Sequence, residues 1–297
     1  MTAATFGRIV VCGVGLIGGS FALALKNAGA VREVVGIGRS RESLETALAL
    51  GVIDRIAEDW RDAAAGADLI LLAMPVGQME PVMAALIPYL EAHTLVTDAG
   101  STKQDVVAAA RRCFGERIGQ FVPGHPIAGA EKSGAAAATA GLYVDKRVVI
   151  TPLPENSLAS VTRILAAWEA CAARVSELTP AAHDSVFAAV SHLPHLLAFA
   201  LVHDIAGREN SEQLFGFAAG GFRDFTRIAS SHPEMWRDIC VANRHALVGE
   251  IDAYMSELLR TRVLLAAADG DGLQAMFAAA RARRDAWLDT LQSPPGE

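Results

Sequence analysis

The sequence predicts an α/β protein, in which an N-terminal doubly wound parallel sheet is followed by an all-helical half. Three observations predict it: a glycine-rich turn follows the first apolar run, strand and helix patterns alternate as far as residue 178, and only helical periodicity continues from residue 181. The length of 297 residues suits two domains, which we expect at residues 1–178 and 179–297.

The composition is that of a folded protein with a large core. Hydrophobic residues make up 52% of the chain and charged residues 20%, which argues against disorder. The net charge of −7, without a basic tail, predicts no nucleic-acid partner. The four scattered cysteines are typical of a reducing compartment and predict no bound metal. We find no signal sequence and no uninterrupted apolar run of transmembrane length, so we expect a cytoplasmic protein without a membrane partner.

The glycine-rich turn lies between an apolar strand pattern and an Ala/Leu-rich helix pattern. Gly13, Gly15 and Gly18 have the spacing G-x-G-x-x-G. The first glycine permits a tight turn, the second lets a pyrophosphate approach the backbone, and the third lets helix and strand pack closely. Leu16 and Ile17, within the turn, are further candidate cofactor contacts. The free N–H groups at the start of the following helix would face the diphosphate. The turn therefore predicts a Rossmann-type dinucleotide site.

The remaining elements follow in order from their local patterns. Ser40 is a cap that begins one helix, and Pro81 falls in the first turn of another, where a missing N–H is tolerated. Strand patterns lie at residues 33–38, 67–74, 94–98, 121–126, 147–151 and 174–178. Helix patterns lie at 20–26, 41–50, 78–90, 99–113 and 157–171, then at 181–207, 209–219, 233–262 and 269–291, with a break expected at Gly220 and Gly221.

The end of the second strand pattern bears on the choice of cofactor. A carboxylate that would bind the ribose 2′-hydroxyl of NAD is missing there. Arg39, Ser40 and Arg41 stand in its place, and guanidinium and hydroxyl groups suit a 2′-phosphate. These residues favour NADP, while Glu42, just beyond them, keeps NAD open. Pro75, after the third strand pattern, is a further candidate cofactor contact.

Three polar patches interrupt apolar surroundings. Ser101 follows the strand pattern at 94–98, where it is either a helix cap or a site residue. His125 lies in a Gly-His-Pro corner and could accept a proton near neutral pH, although a single loop histidine is more often structural. His192 and His195 have metal-like spacing, but no third ligand accompanies them, so we do not expect a metal site.

A fourth candidate lies in the helical half. Arg227 follows Asp224 by three residues, so the two would share a helix face. Arg227 could clamp a substrate carboxylate, or the two residues could be a surface ion pair. The remaining histidines have no supporting context and are expected to be structural: His93, His183, His203, His232 and His245.

Six strings of residues, in this order along the chain, resemble the prephenate dehydrogenase / arogenate dehydrogenase family of tyrosine biosynthesis. The first, the glycine turn, is shared by many dehydrogenases, whereas the later strings are specific to this family. They lie at residues 13–20, 98–103, 124–129, 131–134, 191–195 and 225–229.

The resemblance implies an N-terminal Rossmann-type domain, a C-terminal helical dimerisation domain and an active site in the cleft between them. The implied reaction is the oxidative decarboxylation of prephenate or arogenate. The carbon that bears the C4 hydroxyl gives a hydride to NAD(P), and the ring carboxylate leaves as carbon dioxide. The implied partners are this small-molecule substrate and a second copy of the chain, in a homodimer.

The resemblance also implies roles for the residues of the strings. His125 would take the proton of the C4 hydroxyl, and Ser101 would orient that hydroxyl and His125. Arg227 would bind a substrate carboxylate. A neutral histidine beside a cofactor and an arginine clamp suits hydride abstraction from an anionic alcohol.

Four further residues complete the substrate site that the resemblance implies. His195 would help to recognise the substrate side chain, Trp236 would line the cleft, and Glu131 and Asp224 would gate or balance the arginine. Ala130 departs from relatives that have a hydroxyl residue there. A contact to the substrate side chain would be lost, which leaves prephenate and arogenate both open.

Two other functions compete with this one. A β-hydroxyacid-type dehydrogenase also joins such a sheet to helices, but it typically uses a catalytic lysine in the helical half, and this chain has no lysine after Lys146. A non-catalytic NADP-sensing dimer would have no use for the combination of Ser101, His125 and Arg227.

Overall fold

The computed structural model describes residues 6–129 and 134–292. Its contacts divide the chain into two compact units, one that ends at Leu247 and one that begins at Val248. The first unit contains both sheets and most of the helices, and the second contains the last helix and most of the helix before it.

The first sheet has five parallel strands in the order β3-β2-β1-β4-β5. The first strand lies in the middle, and its neighbours continue on either side, which confirms the predicted doubly wound arrangement. Both faces of the sheet carry apolar side chains, which pack against helices on each side. The strands are β1 Phe6–Cys12, β2 Val31–Ile37, β3 Arg55–Ile56, β4 Leu69–Leu72 and β5 Leu95–Asp98.

Three further strands form a second sheet: β6 Gly124–Pro126, β7 Arg147–Ile150 and β8 Arg174–Glu177. The seventh strand pairs antiparallel with the sixth and parallel with the eighth. The strand pairings are mostly parallel, as expected, but we did not predict the division into two ladders. Among the described residues, one isolated bridge links Val96 of β5 to Phe121, just before β6. Pro123 and Pro126 have no N–H with which to extend a ladder there.

Helices connect and cover these strands. Ser40, Asp59 and Ser157 cap three of them through side-chain oxygens. The helix that we expected to open at residues 99–101 begins at Gln104, so Ser101 does not cap it. The helices are α1 Leu16–Asn27, α2 Arg41–Ala49, α3 Trp60–Ala64, α4 Met79–Leu86, α5 Gln104–Phe114 and α6 Leu158–Ala170.

The helical half is more divided than its periodicity predicts. A π-helical turn, Ala188–His192, separates the first two helices just before Pro194. Gly220 and Gly221 begin a helix where we expected a break, and Asn243 interrupts the long helix expected at 233–262. These helices are α7 Pro180–Phe187, α8 Leu193–Ala206, α9 Ser211–Gly216, α10 Gly220–Thr226, α11 Pro233–Ala242, α12 Arg244–Ala266 and α13 Gly270–Gln292.

One helical run of the described residues, Pro180–Ala206, is long and apolar enough to cross a membrane by length and composition. Core helices of water-soluble proteins pass the same test. The run also carries buried polar side chains at His183, Asp184 and His192. These side chains belong to the polar cluster described below.

Candidate active site

The glycine turn has the geometry of a dinucleotide site. Gly13 has a φ of +92°, and a Cβ there would lie 2.6 Å from the carbonyl oxygen of Ala73. A Cβ at Gly18 would collide with the Gly13 carbonyl oxygen. At Gly15 a Cβ would have no described atom within 4 Å. The first and third glycines are therefore needed by the fold, and the second leaves open space in front of α1.

That space adjoins the start of a helix without its own cap. Gly15 precedes α1 in an extended conformation, Leu16 and Ile17 begin the helix, and no acidic residue lies in its first turn. The first N–H groups of such a helix are left without intrahelical partners, and their dipole favours a negative charge. Pro75, after the neighbouring strand β4, begins the turn Val76–Gln78. These residues fit the diphosphate of a dinucleotide.

The three candidate 2′-phosphate residues follow β2 and are exposed. Ser40 Oγ caps α2 and accepts hydrogen bonds from the Ser43 amide (3.2 Å) and the Ser43 hydroxyl (3.0 Å). Its own proton therefore remains available to a ligand. Arg41 pairs with Glu45, at 2.9 Å between Nε and Oε1. Within the described part of the chain, the Arg39 guanidinium has no hydrogen-bond partner, which leaves it available to an anion.

A buried ion pair holds the backbone beside His125. The Lys103 ammonium contacts the Asp98 carboxylate, and neither side chain is exposed. The same ammonium donates to the Gly124 carbonyl oxygen at 2.7 Å, while the Gly124 amide donates to Asp98 Oδ1 at 3.1 Å. Ser101 lies between the two partners in sequence and is half-buried. The ion pair therefore fixes both polar groups of the residue that precedes His125.

His125 lies on β6, opposite Val149. Its Nδ1 is 2.8 Å from His183 Nε2, and its ring meets the Phe187 ring edge-on, with centroids 5.0 Å apart. Burial lowers the pKa of His125 well below its ordinary value, and nearby His183, Lys103 and His192 lower it further. The imidazole is therefore neutral at neutral pH, as a proton acceptor must be.

His183 and Asp184 are the site residues that sequence reasoning missed. Both side chains are buried, and His183 Nδ1 is 2.8 Å from Asp184 Oδ1. The Asp184 carboxylate also accepts the amides of Lys103 (2.7 Å) and Gln104 (2.8 Å), at the start of α5. Burial raises the pKa of Asp184, but these hydrogen bonds outweigh it and hold the pKa below its ordinary value. Adjacent polar residues on the buried face of an otherwise apolar helix were the available signal.

His192 extends this cluster. Asn243 Nδ2 donates to the Asp184 backbone carbonyl oxygen at 2.8 Å and lies 3.1 Å from His192 Nδ1. Burial lowers the pKa of His192 to about 4, so its ring is neutral. In the described part of the chain no three His, Cys, Asp or Glu side chains are grouped to hold a metal ion.

The structure brings His195 and Trp236 into contact and places the charge of Arg227 near His195. The rings of His195 and Trp236 are stacked, with centroids 3.7 Å apart and planes 19° from parallel. His195 Nδ1 donates to the Ser191 carbonyl oxygen at 2.9 Å, which leaves Nε2 as the acceptor of the neutral ring. Burial lowers the pKa of His195, and the charge of Arg227 lowers it further. Arg227 begins a 3₁₀ turn that packs against α8.

Of the two acidic residues expected around the arginine, the structure describes Asp224. Asp224 is exposed on α10 and accepts a hydrogen bond from Arg223 Nε at 3.2 Å. Glu131, like Ala130, lies outside the described residues. Their roles toward Arg227 remain predictions.

Comparison with known families decides which family this site belongs to. The family model for the nucleotide-binding domain of prephenate dehydrogenase matches residues 21–177, and the model for the prephenate dehydrogenase dimerization domain matches residues 179–279. The chain belongs to the prephenate dehydrogenase family. It is therefore a dehydrogenase that uses a nicotinamide cofactor, with a doubly wound α/β domain followed by a helical dimerisation domain, as predicted.

Individual members of the prephenate dehydrogenase family are similar over most of the chain. The prephenate dehydrogenase of Bacillus subtilis (strain 168) is 39% identical over 93% of this chain and 75% of its own length. The cyclohexadienyl dehydrogenase of Zymomonas mobilis is 35% identical over 92% of this chain and 93% of its own. The A. aeolicus prephenate dehydrogenase, solved with hydroxyphenyl propionate and NAD+, superposes with a TM-score of 0.88, at 34% identity over 94% of this chain and 97% of that one.

Proposed function

We propose that the chain catalyses the oxidative decarboxylation of prephenate, arogenate or both, to 4-hydroxyphenylpyruvate or tyrosine, in tyrosine biosynthesis. The observation that carries the proposal is His125, a neutral, half-buried imidazole held beside buried His183 on the strand next to the dinucleotide sheet. The names of the B. subtilis, Z. mobilis and A. aeolicus relatives support it.

In this reaction His125 accepts the C4 hydroxyl proton while the hydrogen on C4 leaves with both bonding electrons. The nicotinamide supplies the acceptor for that hydride. The C–C bond to the ring carboxylate then breaks, its electron pair completes an aromatic ring, and carbon dioxide leaves. Aromatisation drives the step, so the protein has to orient the substrate, accept the proton and exclude water. Ser101 orients the hydroxyl toward His125.

The substrate is held at its carboxylate by Arg227. A guanidinium group matches a carboxylate with two parallel hydrogen bonds, which fixes orientation as well as position. His195 and Trp236 form one rigid wall because their rings are stacked, and His195 faces the substrate side chain. Glu131 and Asp224 balance the charge of the arginine in the free enzyme.

The cofactor that we propose is NADP, with NAD as the alternative. Arg39 and the free proton of Ser40 support a 2′-phosphate site at the end of β2. Arg41 would contribute its charge while its Nε stays with Glu45. The A. aeolicus relative was solved with NAD+, so the preference has to be tested on this chain.

We also propose the wider organisation expected from the sequence. The dinucleotide-binding domain comprises residues 1–178 and the helical substrate and dimerisation domain residues 179–297, in a cytoplasmic homodimer without nucleic-acid or membrane partners. The second half carries apolar side chains that are more than half exposed and that a partner subunit would cover: Met255, Leu259, Val263, Phe277 and Trp287.

The test is the initial rate of reduced-cofactor formation in four mixtures, prephenate or arogenate with NAD or NADP. We expect turnover in at least one mixture and faster turnover with NADP than with NAD. The preferred pair identifies both specificities. No turnover in any mixture would overturn the proposed function and favour the sensor alternative.

A further inference from the structure

Three side chains form a hydrogen-bonded line that ends at His125. Asp184 Oδ1 is 2.8 Å from His183 Nδ1, and His183 Nε2 is 2.8 Å from His125 Nδ1. Asp184 is 1% exposed and His183 is 0% exposed. Water therefore has no access to the two inner members and does not compete for their hydrogen bonds.

The protons along this line follow from the chemistry of its ends. An ionised carboxylate only accepts hydrogen bonds, so His183 Nδ1 carries a proton that it donates to Asp184. The Nε2 of a neutral His183 then carries no proton and must accept one from His125 Nδ1. This arrangement leaves His125 Nε2 without a proton. The opposite tautomer of His125 would place two unprotonated nitrogens against each other, at His125 Nδ1 and His183 Nε2.

A protonated His183 is the one state that would reverse this order. It would donate to His125 Nδ1 and place the His125 proton on Nε2, where it would block proton abstraction. Burial and the nearby Lys103 ammonium disfavour that state and lower the pKa of His183, although Asp184 opposes them. His183 is therefore neutral, and the protons on the ring nitrogens of His183 and His125 have a single arrangement.

The far end of the line is anchored by a helix. The two oxygens of Asp184 accept the backbone amides of Lys103 and Gln104 at the start of α5. Asn243 binds the backbone carbonyl oxygen of Asp184. The carboxylate can neither turn away from His183 nor take up a proton easily, because each of these amides favours its ionised form.

We propose that His183 and Asp184 are positioning residues that hold His125 in the tautomer whose Nε2 accepts the substrate proton. This inference rests on the proposed dehydrogenase function and deepens it. When Nε2 takes the proton, the His125 imidazolium donates a stronger, charge-assisted hydrogen bond through Nδ1 to His183. The carboxylate at the end of the line stabilises that charge without becoming protonated.

The first test needs no substrate and is made on the wild-type protein, with one variant used only to assign signals. Nitrogen NMR of 15N-histidine-labelled protein at neutral pH distinguishes protonated from unprotonated ring nitrogens, and the His125→Asn variant identifies the signals of His125. We expect a protonated Nδ1 and an unprotonated Nε2 at His125. A protonated Nε2 would overturn the proposal, whether or not the protein turns over prephenate.

The second test uses two replacements of His183. His183→Leu removes the acceptor, whereas His183→Gln can present an amide oxygen where Nε2 stood. We expect Leu to lower kcat about 100-fold, with the cofactor KM unchanged and with both His125 tautomers present in the NMR spectrum. Gln should recover most of kcat and the single tautomer. Equal losses in the two variants, with an unchanged His125 tautomer, would contradict the proposal.

A matched control and the wild-type protein separate this inference from the proposed function. His203→Leu changes an exposed histidine on α8 and should leave kcat and the NMR signals of His125 as they are. Wild-type protein without turnover in any of the four mixtures would overturn the proposed function alone. If His183→Leu does not fold, the wild-type NMR measurement still decides the proton order.

Discussion

The Lys103 ammonium and the Asp98 carboxylate form a solvent-free ion pair, and each of the two groups also binds the backbone of Gly124. This arrangement joins the end of β5 to the start of β6 and sets the position of His125. The helix α5 follows directly and holds Asp184 at its first amides. Packing in the sheet and proton chemistry at the site therefore depend on the same few residues.

Lys103→Met should cost about 3–5 kcal/mol of unfolding free energy, because it leaves the Asp98 carboxylate buried without its partner. Denaturant unfolding measures the loss. Arg111→Met, which breaks an exposed pair with Glu155, is the matched control and should cost less than about 1 kcal/mol. Equal losses in the two variants would show that burial does not determine how much the Lys103–Asp98 pair contributes to the free energy of unfolding.

His125→Asn should lower kcat by a factor on the order of 10² to 10⁴, because the amide cannot take the substrate proton. Steady-state kinetics with the preferred substrate and cofactor measures the change. His93→Asn, at an exposed histidine, should leave kcat unchanged. Unchanged turnover by the His125 variant would instead favour a different proton acceptor.

The pH profile of kcat/KM should have its acidic limb below the pKa of an ordinary histidine. His125 must be neutral to accept a proton, so kcat/KM rises with pH through the pKa of His125 and is level above it. Burial and the facing groups Lys103, His183 and His192 lower that pKa. An acidic limb at or above pH 6.5 would contradict the buried, neutral site.

Arg39→Gln should raise the KM for NADP about tenfold and leave the KM for NAD unchanged, because a charge-assisted hydrogen bond to the 2′-phosphate is lost. The two constants are measured at saturating substrate. Arg32→Gln, at an exposed arginine on β2, should change neither constant. If Arg39→Gln raised both constants equally, the residue would not select the cofactor.

Gly15→Ala should impair cofactor binding, whereas Gly13→Ala should lower stability. A methyl group at Gly15 meets no described atom within 4 Å, so the thermal midpoint should stay the same while the cofactor KM rises. Alanine at Gly13 would require a φ near +92° and a Cβ 2.6 Å from the Ala73 carbonyl oxygen, so the thermal midpoint should fall. Equal midpoints in the two variants would contradict the roles assigned to these glycines.

The elements predicted from the sequence are those with strong local signals. The glycine turn, the buried strands β1 and β4 and the Ser40 cap depend on residues next to one another in the chain. The strand β3 was missed because two residues show no periodicity. The separate second sheet was missed because the direction in which β6 pairs is not encoded in its own three residues.

The candidate site likewise contains residues that the sequence could predict and residues that it could not. His125, His195, Trp236 and Arg227 lie in strings that resemble a family, so the sequence could propose them. His183 lies in an apolar helix without such a string and was expected to be structural. The structure places it against His125, 58 residues earlier in the chain.

The sequence by itself determined the nucleotide turn, the alternation of strands and helices, the all-helical second half and the family. Each of these depends on residue types at short, regular spacing. Only the tertiary structure decided which ring nitrogen of His125 is unprotonated. Asp184 accepts a hydrogen bond from the backbone 81 residues earlier, at the start of a helix, and His183 links Asp184 to His125. Partners that packing brings together from distant segments leave no periodic pattern in the chain.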